Sequence, residues 1–401
     1  MSVWLHVVGI GEDGLAGLSP AARATLDAAE VLVGGKRHLA FVPGNAAERI
    51  VWHSPLAATL DTIAARRGKH VVVLASGDPM WFGAGATLAR RFPAEEMRVI
   101  PHVSSFALAA SRLAWALADC TTLSLHGRPL AALALHLADG AKLIVLTHDG
   151  TTPAAVAKLL VVRGFGGSRL HAFERMGGPA ERAVTGHARD WPHATLDELN
   201  ILAIDCVAGS DARPLPRLAG LPDECFEHDG QLTKRAVRAA TLAALAPLPG
   251  QLLWDVGAGN GSIAIEWLRS APSLRAIAIE RDEARLARIA RNAEALGVPD
   301  LQIVAGEAPA ALDGLEAPDT VFVGGGASVP GLVERCWESL KPGGTLVANA
   351  VTLESESVLA GWYGRYGGEM TRLAVSHAEP VGPHHGWRAA MPVTQLAVRK
   401  P

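Results

Sequence analysis

Cysteine is scarce in this 401-residue chain: Cys120, Cys206, Cys225 and Cys336 lie far apart, with no CxxC pair and no fixed spacing to histidine. That distribution offers neither a disulfide framework nor a zinc site. Long apolar runs are also missing, none approaching the roughly 20 residues of a membrane helix. The strand-like Val3-Trp4-Leu5-His6-Val7-Val8 has no basic, apolar and cleavage regions of a signal peptide. A cytoplasmic protein without a membrane partner is therefore expected. Positive charge is not in excess either: 37 Lys and Arg against 40 Asp and Glu leave a net charge of −3. Nucleic acid is not an expected partner, and any anionic ligand must be held by a local basic cluster. What is present is a chain with 49% hydrophobic and 19% charged residues, long enough for two cores.

Short apolar strands alternate with Ala-, Leu- and Arg-rich helical stretches, which predicts an α/β fold with mostly parallel sheets. The alternation lapses after Asn200-Ile201-Leu202-Ala203-Ile204-Asp205 into a Pro- and Gly-punctuated stretch. The expected organisation is a domain over 1–207, a linker over 208–222 and a second domain over 223–401. No internal repeat relates the two halves, so their folds must differ. In the second half the pattern predicts strands at 251–256, 275–280, 301–305, 320–323 and 344–350. Helices are expected at 262–270, 283–296, 330–340 and 355–366. The last two strands, about 370–380 and 391–400, read as a terminal antiparallel hairpin on the parallel sheet.

The strand at 251–256 ends in Asp255 and runs into Gly257, Gly259 and Gly261, with a helix starting at Ser262. Glycines serve such a turn because the backbone bends sharply and a ligand must reach the main chain. The next strand ends in Glu280, about twenty residues on, where a carboxylate can accept both hydroxyls of a ribose. The tight Asp-x-Gly-x-Gly-x-Gly spacing resembles motif I of class I methyltransferases rather than the wider dinucleotide spacing. The resemblance implies that Asp255 lies near the methionine portion of S-adenosylmethionine and that Gly306, Glu307 and Ala308 border its adenine. Pro318–Gly326, with Gly325, would face the substrate, and Lys341-Pro342-Gly343-Gly344 would be the turn before the fifth strand. Glu307 can equally be read as a solvated loop acid.

The first half carries Val8-Gly9-Ile10-Gly11, then Leu18-Ser19-Pro20 announcing a helix. Val71–Ala75 is a wholly apolar strand leading into Ser76-Gly77-Asp78-Pro79, and Pro101-His102-Val103-Ser104-Ser105 follows about 25 residues later. This pairing resembles the tetrapyrrole methylases, or class III methyltransferases, whose domain has two α/β lobes with the cofactor in the cleft between them. Leu123–Arg128, Leu146-Thr147-His148 and Glu174–Glu181 extend the match into the second lobe. The implied cofactor contacts are Gly9, Gly77, Asp78, Pro79, Ser104, Ser105, Thr147 and Met176. Asp78 and the Ser104-Ser105 pair can also be read as helix caps, and both readings can hold together.

Both folds in this order, followed by His228–Arg235, closely resemble the precorrin-6Y C5,15-methyltransferase (decarboxylating) family of aerobic cobalamin biosynthesis. The resemblance implies a bifunctional S-adenosylmethionine-dependent methyltransferase with two cofactor sites and no metal. It would methylate C5 and C15 of precorrin-6B (precorrin-6Y) and decarboxylate the C12 acetate to give precorrin-8. The first domain would act at C5, and the second at C15 and on the acetate. It also implies a homo-oligomer, formed through the C-terminal domain. The rival readings are an RNA or protein methyltransferase, and a non-catalytic corrinoid carrier or S-adenosylmethionine sensor.

A substrate with many carboxylates calls for clamping cations. The candidates are Thr233, Lys234, Arg235 and Arg238 at the first C-terminal helix, and His384, His385 and Arg388 between the last two strands. Arg37, His38, Arg128 and Arg175 are the corresponding candidates in the first half. Arg238 can also be part of an ordinary solvated helix face. His384-His385 do not read as metal ligands, since adjacent side chains on a strand point apart.

Overall fold

A computed structural model describes residues 3–52 and 56–401. The chain divides into two compact units, one of Met1–Leu130 and His136–Arg213, the other of Ala131–Leu135 and Pro214–Pro401. No helix among the described residues is long and apolar enough to cross a membrane.

The first unit holds two five-stranded sheets. One comprises β1 (Leu5–Ile10), β2 (Val31–Gly34), β3 (Glu48–Val51), β4 (Val71–Ser76) and β5 (Met97–Ile100), in the order β3-β2-β4-β1-β5. All its pairings are parallel. Every residue of β1 is buried, as is β4 up to Ala75, which suits unbroken apolar strands covered on both faces. The other sheet comprises β6 (Cys120–Ser124), β7 (Lys142–Leu146), β8 (Arg169–Glu174), β9 (Arg182–His187) and β10 (Asn200–Asp205), in the order β6-β7-β10-β8-β9. Only β6 and β7 pair in parallel there.

The second unit is built on β11 (Leu252–Val256), β12 (Arg275–Glu280), β13 (Gln302–Ala305), β14 (Thr320–Val323), β15 (Thr345–Ala350), β16 (Glu369–Leu373), a short hairpin of β17 (Ser376–Val381) and β18 (His384–Ala389), and β19 (Val393–Arg399). Its seven-stranded sheet runs β13-β12-β11-β14-β15-β19-β16, with only β19 and β16 antiparallel to their neighbours. The α/β class with mostly parallel sheets is as the sequence predicts. Ligands in open parallel sheets bind beyond the C-terminal ends of strands flanking the order reversal, here β11 and β14.

The terminal hairpin departs from expectation. β16 and β19 do pair antiparallel, but β17 and β18 between them form a separate two-stranded sheet. Residues 376–389 show no apolar face to bury, carry Pro380 and are mostly exposed, so they cannot extend the main sheet. In the stretch preceding the first helix of this unit, Gly220 N and Leu221 N donate to the two oxygens of Glu266 at 2.6 and 3.0 Å, and Leu221 is buried.

Candidate cofactor sites

In the second unit, β11 delivers Asp255 to the edge of the sheet, and the chain turns through Gly257, Gly259 and Gly261 at φ 71°, 59° and 81°. These are left-handed conformations that favour glycine. At Gly261 a Cβ would also stand 3.0 Å from Ile289. Gly257 N and Ala258 N both donate to Ile279 O at 3.0 Å, which ties the turn to the end of β12. Glu280 completes the tie: its Oε2 accepts Gly259 N at 2.8 Å, and its Oε1 accepts Arg281 N and Asp282 N at 2.9 and 3.0 Å. The carboxylate is thus held rigidly, with lone pairs left over for further donors.

Asp255 is buried, and its Oδ2 accepts Ala264 N at 3.0 Å. Its Oδ1 is buried with no hydrogen-bond partner among the described residues. Burial pushes this carboxyl up to about 7; the Ala264 amide opposes the rise and the nearby Glu280 charge adds to it. A cavity of about 820 Å³ opens beside it. Thr233, Lys234, Arg235, Asp255, Gly257, Gly259, Ser262, Glu280, Gly306, Glu307, Ala308 and Gly325 all line it, whereas Gly261 shapes the turn from behind. Glu307 is exposed and pairs with Arg281 at 2.6 Å, so the solvated-acid reading and a place on the cavity wall hold together.

Arg238 is no substrate clamp. It is 0% exposed, donates from Nε to Glu266 at 2.6 Å and from Nη1 to Asp223 at 3.1 Å, and also reaches the Thr233 and Leu221 carbonyls. Its guanidinium lies 4.7 Å from the centre of the Phe226 ring. A charge with this many fixed partners belongs to the framework. His384 and His385 are also misplaced by the sequence reading: they sit exposed on β18, opposite Val381 and Pro380, and do not line the cavity. Arg388, on the same strand, pairs with Glu379 at 3.0 Å. The separate hairpin carries them away from the loop position expected for them.

Sequence reasoning missed His377, Met391 and Asn349, which the fold brings to the cavity wall. Asn349 Nδ2 donates to Thr241 Oγ1 at 2.9 Å, and Gln395 Nε2 donates to Asn349 Oδ1 at 2.9 Å. No motif marks them, because they come from separate places along the chain: Asn349 from β15, His377 from β17 and Met391 from the loop before β19.

In the first unit the ends of β1, β4 and β5 converge. A Cβ on Gly9 would lie 2.1 Å from Gly77 O and 2.5 Å from His102 N, so only glycine fits. Gly77 N donates to Ile10 O at 3.1 Å, and His102 N donates to Gly77 O at 3.2 Å. Asp78 Oδ1 accepts Met80 N at 2.9 Å, closing the turn through Pro79. Ser104 Oγ accepts Ala107 N at 3.2 Å and caps the helix Ser105–Leu113, whose N-terminus faces the same turn through Gly77.

Thr147 and Met176 engage otherwise. The Thr147 hydroxyl donates to Asn200 O at 2.7 Å, and the Met176 side chain is packed with Phe106 and Phe173. Arg37 pairs with Glu12 and donates to Ser76 Oγ at 2.9 Å. Arg175 pairs with Asp197 at 2.7 Å and with Glu12 at 3.5 Å. His38 Nε2 lies 2.9 Å from Ser76 Oγ, and burial followed by the Arg37 charge lowers its pKa to about 4. Arg37 and Arg175 are thus balanced by carboxylates, and His38 is held neutral. Arg128 has no ion pair among the described residues; its guanidinium lies 5.5 Å from the centre of the Phe82 ring.

Comparison with known proteins adds two family matches. Residues 4–192 match the Tetrapyrrole (Corrin/Porphyrin) Methylases, and residues 224–400 match the Precorrin methyltransferase domain. The chain is similar over its full length to a Sinorhizobium protein named precorrin-6Y C(5,15)-methyltransferase [decarboxylating], 51% identical over 100% of this chain and 97% of the relative. Two shorter relatives come from Salmonella typhimurium. One, named cobalt-precorrin-7 C(5)-methyltransferase, is 39% identical over 40% of this chain and 80% of its own length. The other, named cobalt-precorrin-6B C(15)-methyltransferase (decarboxylating), is 35% identical over 42% of this chain and 89% of its own length.

Proposed function

The chain belongs to the precorrin-6Y C5,15-methyltransferase (decarboxylating) family, and from that premise we propose that it methylates C5 and C15 of precorrin-6B (precorrin-6Y) and decarboxylates the C12 acetate to give precorrin-8. Two S-adenosylmethionine sites serve the two transfers, one in each unit, and no metal takes part. The observation that carries the second site is the cavity at the end of β11, where a rigid glycine turn, Glu280 and the unpartnered Asp255 Oδ1 meet. The existence of separate Salmonella relatives of about domain length, one named for C5 and the other for C15 with decarboxylation, supports dividing the work between units. On this reading the first unit acts at C5, and the second acts at C15 and on the acetate.

S-adenosylmethionine supplies an electrophilic methyl group on a sulfonium. Meso carbons of a reduced tetrapyrrole are already nucleophilic, so the chain's work is alignment and exclusion of water. Glu280, fixed by three backbone amides, is suited to accept the ribose hydroxyls. Asp255 Oδ1 is suited to accept from the ammonium of the methionine portion, which would draw the carboxyl towards its ionised form. Lys234 and Arg235, on the cavity wall, can hold peripheral carboxylates of the macrocycle. In the decarboxylation the bond to the acetate carboxyl breaks, its electron pair enters the conjugated imine system, and a proton later caps the carbon left behind.

Purified protein supplied with precorrin-6B and methyl-labelled S-adenosylmethionine should incorporate two methyl groups and release one carbon dioxide per macrocycle. Binding of the macrocycle without turnover would overturn the assignment. The proposal includes a cytoplasmic, self-associating enzyme; light scattering on the purified chain tests the second property.

A further inference from the structure

An exposed aromatic corner stands beside the cofactor turn of the first unit. Met80, Trp81 and Phe82 follow directly on Gly77-Asp78-Pro79 and are 45%, 51% and 40% exposed, and Val103, from the loop after β5, is 53% exposed. Contiguous apolar patches of this kind on a soluble protein mark a contact surface. The corner is also stiff. Trp81 N donates to Asp78 O at 3.2 Å, and Ala86 N donates to Pro79 O at 3.2 Å. A Cβ on Gly83 or Gly85 would lie 2.6 or 2.8 Å from Pro79 O, so the coil has no room to be rebuilt. Phe82 holds φ 55°, a left-handed conformation that a bulky residue keeps only when its surroundings compel it.

Phe82 is the prop of the corner. Its ring lies 5.6 Å from that of buried Phe106, in the helix that Ser104 caps, and 5.6 Å from that of Trp81 in a nearly perpendicular arrangement. Arg128 lies over it at 5.5 Å. Arg37 and Arg175 in the same unit are engaged by Glu12. Arg128, by contrast, has no carboxylate partner among the described residues. In the same stretch the His126 and His148 rings stand 5.4 Å apart, and His148 Nδ1 accepts Gly127 N at 3.4 Å. A free apolar face beside an unpaired fork of donors is complementary to a flat, conjugated, carboxylate-bearing ring.

We propose that Trp81 receives a pyrrole face of the macrocycle and Arg128 one of its peripheral carboxylates, with Phe82 as the positioning residue that holds both. This sets which carbon meets the methyl group in the first unit. The inference rests on the function proposed above and adds the substrate contacts of its first transfer.

The test uses the full-length chain, precorrin-6B and methyl-labelled S-adenosylmethionine, with product mass read over time. Trp81→Ala and Arg128→Gln should each raise the KM of one of the two methyl transfers by about tenfold. The other transfer, the carbon dioxide release and cofactor binding should stay unchanged. Trp81→Phe should recover most of the loss, and Arg128→Lys only part of it, since the paired donors are missing. Trp81 is half exposed, so melting temperature should not move. If the wild-type chain transfers no methyl group, the functional reading fails and the corner with it. If the wild type transfers two and the variants keep its KM for both, the corner alone is refuted. A Trp81→Ala chain with altered molar mass and unaltered KM would instead put a protein partner on the corner, which also overturns the proposal.

Discussion

Replacing Arg238 by methionine separates a framework role from a substrate role more sharply than any other change in the second unit. The substitution removes the charge and keeps most of the aliphatic volume. Glu266 would lose its guanidinium partner while still accepting Gly220 N and Leu221 N, and the Thr233 and Leu221 carbonyls would lose a donor. Breaking a buried ion pair from one side costs roughly 3–5 kcal/mol, because the remaining charge has no solvent to return to. In a unit of this size each kcal/mol lowers the melting temperature by about 2–4 °C, so a fall of about 6–20 °C is expected. Differential scanning fluorimetry and urea titration of the full chain read it. Arg238→Lys keeps one charge but not the fork and should fall between the two. Under conditions where the variant is folded, its KM for the macrocycle should stay within about twofold of wild type, since nothing of Arg238 reaches solvent. A melting temperature within about 2 °C of wild type, together with a KM raised about tenfold, would refute the reasoning and restore Arg238 to the substrate site.

Four other outcomes follow from the geometry. Asp255 holds its proton up to about 7 in the folded chain, so the affinity of the second unit for S-adenosylmethionine should fall about tenfold from pH 8 to pH 6. Calorimetry should find that dependence gone in Asp255→Asn. The same raised value means that the folded, cofactor-free unit binds more protons than the unfolded chain between about 4 and 7, so its stability should decline as pH rises through that window. Gly9→Ala puts a methyl group 2.1 Å from Gly77 O and must displace the turn; one methyl transfer should drop about a hundredfold while the other survives, as counted by product mass. His384→Ala and His385→Ala should leave both transfers within about twofold, since these side chains are exposed on β18 outside the cavity lining; a tenfold loss in turnover assays would bring the hairpin back into the site.

Much of this was legible along the chain because its signals are local. The apolar runs of β1, β4 and β11 demand cover on both faces, and the glycines at 257–261 demand a turn that ordinary side chains disfavour. Each fact is written within a few consecutive residues. Glu280 needed one step more, the strand spacing that carries it beside Gly259.

Charge was the property least legible. Arg238 and Arg128 look alike in sequence, yet one is sealed against Glu266 and the other lies over Phe82 without a counter-ion. A cation's role depends on which carboxylates the fold brings to it, and for Arg238 these are Asp223, 15 residues away, and Glu266, 28 residues away. His384 and His385 failed for a related reason: they lie on β18 of a separate hairpin, outside the cavity lining, while His377 of its β17 and Asn349 of β15 stand on the wall. Local conformation, which segments become strands and which become helices, follows from neighbouring residues, and this the sequence determined by itself. Burial, pairing and the raised pKa of Asp255 depend on distant groups brought together in low dielectric, and those only the tertiary structure decided.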